Sequence, residues 1–349
     1  MSKFKKDQII NAFALLGEQL SHPNDELQHI IDTEQHYNAW FTPQSVGQAV
    51  MAIGESLNRT DITTWLNKYS EIKDSPVKKV GLILAGNIPL VGLHDVLCVL
   101  ATGNHALIKA SSQDARLIKQ VLKILVEIEP ALAESFTFVE RLVDFEAVIA
   151  TGSNNSSRYF EYYFGKVPNI IRKNRNSVAV LTGKETTEQL NLLGCDIFDY
   201  YGLGCRNVSK LLVPAGYNFN TFFESIESYQ PIINHHKYNN NYDYNKSIYL
   251  VNRDKHLDNG FLLVKEDERM VSPLAVLFFE YYADEAAVIE LLNRESQNIQ
   301  CIVSELPLPV SNQVVGFGQS QQPALWDYAD GIDTMEFLSN VYTFGEVKG

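Results

Sequence analysis

The chain has 349 residues, long enough for more than one hydrophobic core, since single cores seldom grow beyond about 250–300 residues. With 45% hydrophobic and 20% charged residues, it has the make-up of a globular protein rather than a disordered or fibrous one. A formal net charge of −13 without any long basic run argues against nucleic acid or an anionic membrane as the main partner.

The segment Met1-Ser2-Lys3-Phe4-Lys5-Lys6 has the charge of a signal n-region, but Asn11, Glu18 and Gln19 interrupt the stretch that follows. Ile9, Phe13, Leu16 and Leu20 recur at the spacing of an amphipathic helix. Residues 1–75 read as mainly helical, with breaks near Pro23 and Pro43. No run reaches the ~20 apolar residues of a membrane span, so neither export nor membrane insertion is expected.

From Val80 the texture changes. Val80-Gly81-Leu82-Ile83-Leu84-Ala85 reads as a buried parallel strand ended by Gly86-Asn87-Ile88-Pro89. A helix fits Leu90 to Ala101 and closes at Gly103-Asn104; a strand follows at His105–Lys109. Ser111 or Ser112 is placed to cap a helix running to about Glu127. Further strands are expected at Phe136–Val139, Ala147–Thr151 and Ser177–Leu181, with Gly152-Ser153 directly after the second. This alternation implies a doubly wound α/β sheet, whose ligands bind beyond the carboxyl ends of the strands, where Asn87, Lys109 and Ser153 fall. No GxGxxG occurs, so any dinucleotide is held without a standard phosphate loop.

Cys205 follows the small-residue turn Gly202-Leu203-Gly204 and precedes the β-prone run Val208–Val213. A thiol there is reachable by a substrate carbonyl, which suits attack on an acyl group. From this segment alone, a buried structural cysteine is the commoner fate. Cys98, Cys195 and Cys301 lie in apolar or strand-like surroundings and read as inert. The four cysteines show no CxxC pairing, which points away from disulfides and zinc and towards a reducing cytoplasm. Asn234–Asn245 reads as an exposed loop, and His235-His236 as solvated histidines without a third metal ligand. Ser272-Pro273 introduces a strand at Leu274–Phe279, followed by a helix around Glu285–Asn293. With no repeat or long linker, two interleaved lobes are expected.

The order of these segments resembles the aldehyde dehydrogenase superfamily and, within it, the LuxC-type fatty-acyl-CoA reductases. Gly86-Asn87-Ile88-Pro89-Leu90 is similar to the superfamily's Asn-aromatic-Pro turn, with Ile88 in place of the aromatic. The run Ala101–Ser111 is similar to its Gly-Asn…Lys-Pro-Ser segment, and Thr151-Gly152-Ser153 to its Gly-Ser pair. Gly202-Leu203-Gly204-Cys205-Arg206-Asn207 occupies the place of the nucleophile loop; Phe317–Pro323 and Asp330-Gly331-Ile332-Asp333 look like the acyl-CoA reductase branch. The resemblance runs from about Val80 to Phe337. It implies an aldehyde dehydrogenase-like fold, in which a doubly wound dinucleotide-binding domain, 1–182 with 306–349, carries an inserted α/β catalytic domain, 183–305, that bears the nucleophile. It also implies a homo-oligomer.

The same resemblance implies that Cys205 attacks an acyl-CoA, that NADPH (NADH being possible) reduces the acyl-cysteine, and that an aldehyde leaves. Asn87 and the Cys205 N–H become the oxyanion donors, each typically worth ~3–4 kcal/mol in such sites; the bland alternative for Asn87 is a turn residue before proline. Lys109 falls to the adenosine ribose or 2′-phosphate, Ser111 to the cofactor, Gly152 and Ser153 to the pyrophosphate, and Glu268, with Glu266 competing, to the nicotinamide ribose. Lys109 and Glu268 read equally as solvated charges, and Ser153 as a helix cap. His94 is a minor candidate for general acid, against a packing role. Where typical relatives carry the Glu-Leu-Gly-Gly glutamate that activates hydrolytic water, this chain has Ile171-Arg172-Lys173-Asn174, which favours reduction of the thioester over its hydrolysis. Two other readings stay open: NAD(P)-dependent oxidation of a small aldehyde or semialdehyde, and a non-reducing acyl relay.

Overall fold

The structure, a computed structural model, describes residues 4–69 and 76–340. The helical reading of positions 70–75 and the n-region reading of Met1–Lys3 lie outside the described residues. The chain divides into two compact units, one built from the described residues up to Asn174 and from Ala324 on, the other from Arg175–Pro323. The second is thus inserted into the first in sequence. The divisions expected at 182/183 and 305/306 fall instead at 174/175 and 323/324. Asn176–Val180 is the reason at the first division, because it pairs with strands of the second unit rather than the first.

In the first unit, α1 (Lys6–Ser21), α2 (Asp25–Thr33), α3 (Pro43–Ser56) and α4 (Arg59–Asn67) precede any strand. Asn24, Thr42 and Asn58 cap the last three by accepting a backbone N–H, and Pro43 opens α3 where its missing donor costs nothing. Then come β1 (Lys79–Ile83), α5 (Leu93–Ala101), β2 (His105–Lys109), α6 (Ala115–Ile128), β3 (Phe136–Phe138), β4 (Ala147–Thr151), α7 (Asn154–Phe164) and β5 (Asn169–Arg172). The sheet order is β3-β2-β1-β4-β5, every neighbour parallel. This is the doubly wound order in which two halves diverge from β1, so the crevice opens where β1 meets β2 and β4. Leu117, Ile118, Val121, Leu122 and Leu125 form the buried stripe of α6 and share one core with α1, α5 and β1.

The second unit holds β6 (Asn176–Val180), α8 (Thr187–Phe198), β7 (Val208–Pro214), α9 (Phe219–Ser225), α10 (His236–Asn252), β8 (Leu257–Asp258), β9 (Leu263–Glu266), β10 (Val276–Tyr282), α11 (Glu285–Arg294), β11 (Ile299–Val303) and β12 (Gln313–Val315). Its sheet runs β12-β11-β6-β7-β10-β9-β8, parallel except for β8 against β9. A last helix, α12 (Thr334–Asn340), returns to the first unit.

Three expectations need correction. The stretch Asn234–Asn245 is not a loop: most of it is α10, whose buried Tyr238, Tyr242, Asn245 and Tyr249 are spaced 4, 3 and 4 apart. The helical stripe was there, written in tyrosine and asparagine rather than aliphatics. His235 caps this helix by accepting the Tyr238 N–H. Neither Ser111 nor Ser112 caps α6; Asp114 holds the N-cap position and its carboxylate accepts the Leu90 N–H instead. Ile171-Arg172 closes an unforeseen strand, β5, at the sheet edge.

Candidate active site

The carboxyl edge of the first sheet gathers the expected binding residues. Asn87 is exposed in the turn after β1, Lys109 is exposed as the last residue of β2, and Gly152-Ser153 follow β4. Since β1 pairs with both β2 and β4, these positions sit on three adjacent strand ends. The turn after Asn87 is strained at Leu90, whose φ of 58° is left-handed. Asp114, only 3% exposed, braces it through the Leu90 N–H at 3.0 Å. Burial pushes the Asp114 carboxyl up to about 8 despite that bond, and its second oxygen has no partner.

Ser153 Oγ caps α7 by accepting the Ser156 N–H at 3.2 Å, so the cap reading of Ser153 holds. A Cβ on Gly152 would come within 2.7 Å of the Phe160 ring and 3.0 Å of Ser156 Cβ; only glycine lets β4 turn into α7 this closely. Ser111 Oγ accepts the Gln113 N–H and lies where a Cβ on Gly86 would collide, at 2.4 Å. His94 is a packing residue: its ring lies 5.4 Å from that of Trp65 and 5.6 Å from that of Tyr328, and its Nε2 pairs with the Leu325 carbonyl at 2.9 Å. Arg172, in the stretch matched to the hydrolytic glutamate, is 6% exposed, ion-paired with Asp95 and bonded to Thr334 at 3.0 Å. It braces the interior and faces no open crevice.

In the second unit, Cys205 is half-buried just before β7. It occupies the second position of a four-residue turn closed twice, by the Asn207 N–H to the Gly204 carbonyl (3.1 Å) and by the Gly204 N–H to Asn207 Oδ1 (2.8 Å). Its own carbonyl accepts the Ser177 hydroxyl at 3.1 Å. Next in the chain, Arg206 donates to Gln313 Oε1 at 3.1 Å and reaches the Ser320 carbonyl at 3.4 Å. Asp196, fully buried on α8, accepts the N–H groups of Gly318 (2.6 Å) and Ser320 (2.9 Å). The Phe317–Pro323 segment is thus tied to the helix that leads into the Cys205 turn. A small cavity of about 30 Å³ lies beside the turn, lined by Tyr201, Gly202, Asn207 and Tyr238 among others.

No disulfide forms, and burial pushes the thiols of Cys98, Cys195 and Cys301 upward, as fits inert sulfur. The Glu268 side chain is exposed, while its carbonyl accepts from the fully buried Lys210 at 2.9 Å. Ser209 donates to the Met270 carbonyl at 2.9 Å, so the loop is held back over β7. Among the described residues, no three His, Cys, Asp or Glu side chains cluster to hold a metal, and no helix is long and apolar enough to cross a membrane. Sequence reasoning missed Asp196 and Asn207. The signal for Asp196 was available: one carboxylate in the apolar run Leu192–Phe198 demands buried partners.

The fold is similar to that of solved aldehyde dehydrogenases. It matches aldehyde dehydrogenase 21 of Physcomitrella patens, solved with the reaction product succinate, at a TM-score of 0.69 with 12% identity, over 97% of this chain and 85% of that one. An indole-3-acetaldehyde dehydrogenase solved with NAD+ gives 0.70 with 12% identity over 98% and 83%, and an NAD-dependent benzaldehyde dehydrogenase of Corynebacterium glutamicum 0.66 with 13% over 90% and 82%. The sequence of residues 18–160, all in the first unit, matches the family described as acyl-CoA reductase (LuxC). Residues 18–160 thus resemble the acyl-CoA reductase (LuxC) family in sequence, and the chain has an aldehyde dehydrogenase-like fold. No curated protein matches the chain. The family match begins in α1, so the resemblance includes the N-terminal helices as well as the part from Val80 onward.

Proposed function

We propose that the protein is a nicotinamide-dependent oxidoreductase that reduces an acyl-CoA thioester, of fatty-acyl type, to the aldehyde through an acyl-cysteine on Cys205, with NADPH as reductant. The observation that carries this reading is the doubly closed turn presenting Cys205, in a chain whose first unit matches the acyl-CoA reductase family. Cys205 as thiolate adds to the thioester carbonyl, the C–S bond to CoA breaks, and CoA leaves as its thiolate, which takes up a proton. The bound nicotinamide would supply hydride to the acyl carbon. Collapse of the resulting thiohemiacetal returns the electron pair to Cys205 sulfur and releases the aldehyde. Negative charge on the oxygen falls to the Cys205 N–H and, by the resemblance, to the Asn87 amide.

The residues at the carboxyl edge of the first sheet fit a dinucleotide. Lys109 offers an exposed cation, and the close β4-to-α7 turn at Gly152 opens an eleven-residue helix whose first N–H groups favour phosphate. Ser111 is assigned to the cofactor, and Ser153 and Glu268 to its pyrophosphate and nicotinamide ribose, in the same proposal. The roles of the two units, dinucleotide binding and nucleophile, belong to it as well, as do a cytoplasmic location and homo-oligomeric assembly. With no carboxylate in Ile171–Asn174 and Arg172 locked to Asp95, that stretch offers no base for water, which favours reduction over hydrolysis.

Nicotinamide absorbance after mixing the protein with NADPH and a long-chain acyl-CoA tests the proposal, with Cys205→Ala alongside. Acyl-CoA-dependent oxidation that disappears in the variant is the expected result. No oxidation across chain lengths, with NADH substituted in turn, would move the protein to aldehyde oxidation or acyl relay.

A further inference from the structure

Between α8 and Cys205 the backbone takes an unusual path. Tyr200, Tyr201 and Gly202 are left-handed in succession, with φ of 53°, 60° and 77°. For the two tyrosines this conformation is strained, so the loop keeps its shape only if both ends are held. One side chain holds them. Asn207, 2% exposed, takes the Gly204 N–H on Oδ1, and its Nδ2 reaches the carbonyls of Asp199 (2.8 Å), Asp196 (3.2 Å) and Ile197 (3.4 Å). Those carbonyls belong to the last turn and C-cap of α8, which lacks intrahelical donors. The Asn207 backbone is used as fully, its N–H on Gly204 and its carbonyl on Ser177 N–H at 3.1 Å.

We infer that Asn207 is the positioning residue of the nucleophile: it cross-links the end of α8 to the turn 204–207 and so fixes where the Cys205 thiol and N–H point. The inference rests on the proposed role of Cys205. Removing the amide frees the strained 199–204 segment to relax, and the Cys205 peptide turns with it. Aspartate keeps the acceptor for Gly204 but offers nothing to the three carbonyls and sets a charge against them, so it fails in the same direction.

The test uses the full chain with Asn207→Ala and the isosteric Asn207→Asp. Asn312→Ala serves as a control, since Asn312 caps the Ser296 and Ile299 carbonyls in the same unit. Two readouts are taken: the pH profile of Cys205 alkylation by iodoacetamide, followed on the Cys205 peptide by mass spectrometry, and kcat and KM for acyl-CoA-dependent NADPH oxidation. Both Asn207 variants are expected to shift the alkylation profile and to lose about 10²-fold in kcat with little change in KM, the scale of a misplaced reacting group. Asn312→Ala is expected to lose thermal stability and change neither readout. A wild-type alkylation profile in whichever Asn207 variant folds would overturn the inference, as would failure of both to fold, which would assign Asn207 to the fold alone. Alkylation needs no substrate, so a shifted profile without NADPH oxidation in the wild type would sink the reductase reading and leave the clamp standing.

Discussion

The two units place their chemistry-bearing residues in opposite ways. At the carboxyl edge of the first sheet, Asn87, Lys109 and Ser153 are exposed, and the Ser111 and Ser153 hydroxyls accept N–H groups two and three residues further along the chain. In the second unit Cys205 is fixed by buried groups distant in sequence: Ser177 on β6, the end of α8 through Asn207, and the 318–320 segment through Asp196 and Arg206. A strand edge needs only the sheet to be correct, whereas a nucleophile must be oriented. The difference teaches that substitutions at the first edge should leave stability nearly intact, while those in the groups that hold the Cys205 turn should cost rate and stability together.

The sharpest break in this comparison comes from Cys205→Ala, expected to abolish acyl-CoA-dependent NADPH oxidation and leave the melting temperature near wild type; residual turnover would move the chemistry elsewhere. Asn87→Ala comes next, with an expected drop of about 10²–10³-fold in kcat and almost none in stability, the scale of one oxyanion donor. An unchanged kcat would leave Asn87 as the turn residue that its place before Ile88-Pro89 also allows.

Arg172→Met then probes the buried brace of the first unit, stranding the Asp95 carboxylate at 5% exposure. Breaking such a pair costs about 3–5 kcal/mol, read by denaturant unfolding. A loss below about 1 kcal/mol would show that Asp95 is solvated or protonated without its partner.

Asp114→Asn gives a pH signature. The Asp114 carboxyl lies at about 8, raised by burial against the Leu90 N–H, so folding favours its protonated form. Its contribution is full below the ordinary carboxylate pKa near ~4 and is lost as pH rises through about 8. The melting temperature of Asp114→Asn relative to wild type should therefore climb from about pH 5 to about pH 9. A flat or falling difference would mean that Asp114 is ionised in the fold. The smallest effect is reserved for Ser153→Ala, which removes the α7 cap and should cost about 1 kcal/mol. Weaker NADPH binding, measured by fluorescence titration, would show that Ser153 serves the dinucleotide as well as the helix.

Much of this protein was legible in order along the chain. Apolar runs bounded by glycine and proline located β1, β2, β4 and β7, because buried parallel strands are written as short continuous hydrophobic words. The alternation of those strands with helices dictated the doubly wound sheet and hence which end would bear Asn87, Lys109 and Ser153. The small-residue turn before Cys205 marked the thiol. Tertiary structure decided what sequence spacing cannot carry. It assigned β6 to the second sheet, made α10 from a polar tyrosine-rich stretch, and put Asp114 rather than Ser111 or Ser112 at the start of α6, where its carboxylate braces Leu90. It brought Ser177 to the Cys205 turn and joined Asp196, on the helix before that turn, to Ser320 across 124 residues. The physical reason is one of range. Periodicity and turn chemistry are local and read directly from neighbouring residues, whereas a buried polar group is satisfied by whichever partner the packed chain delivers.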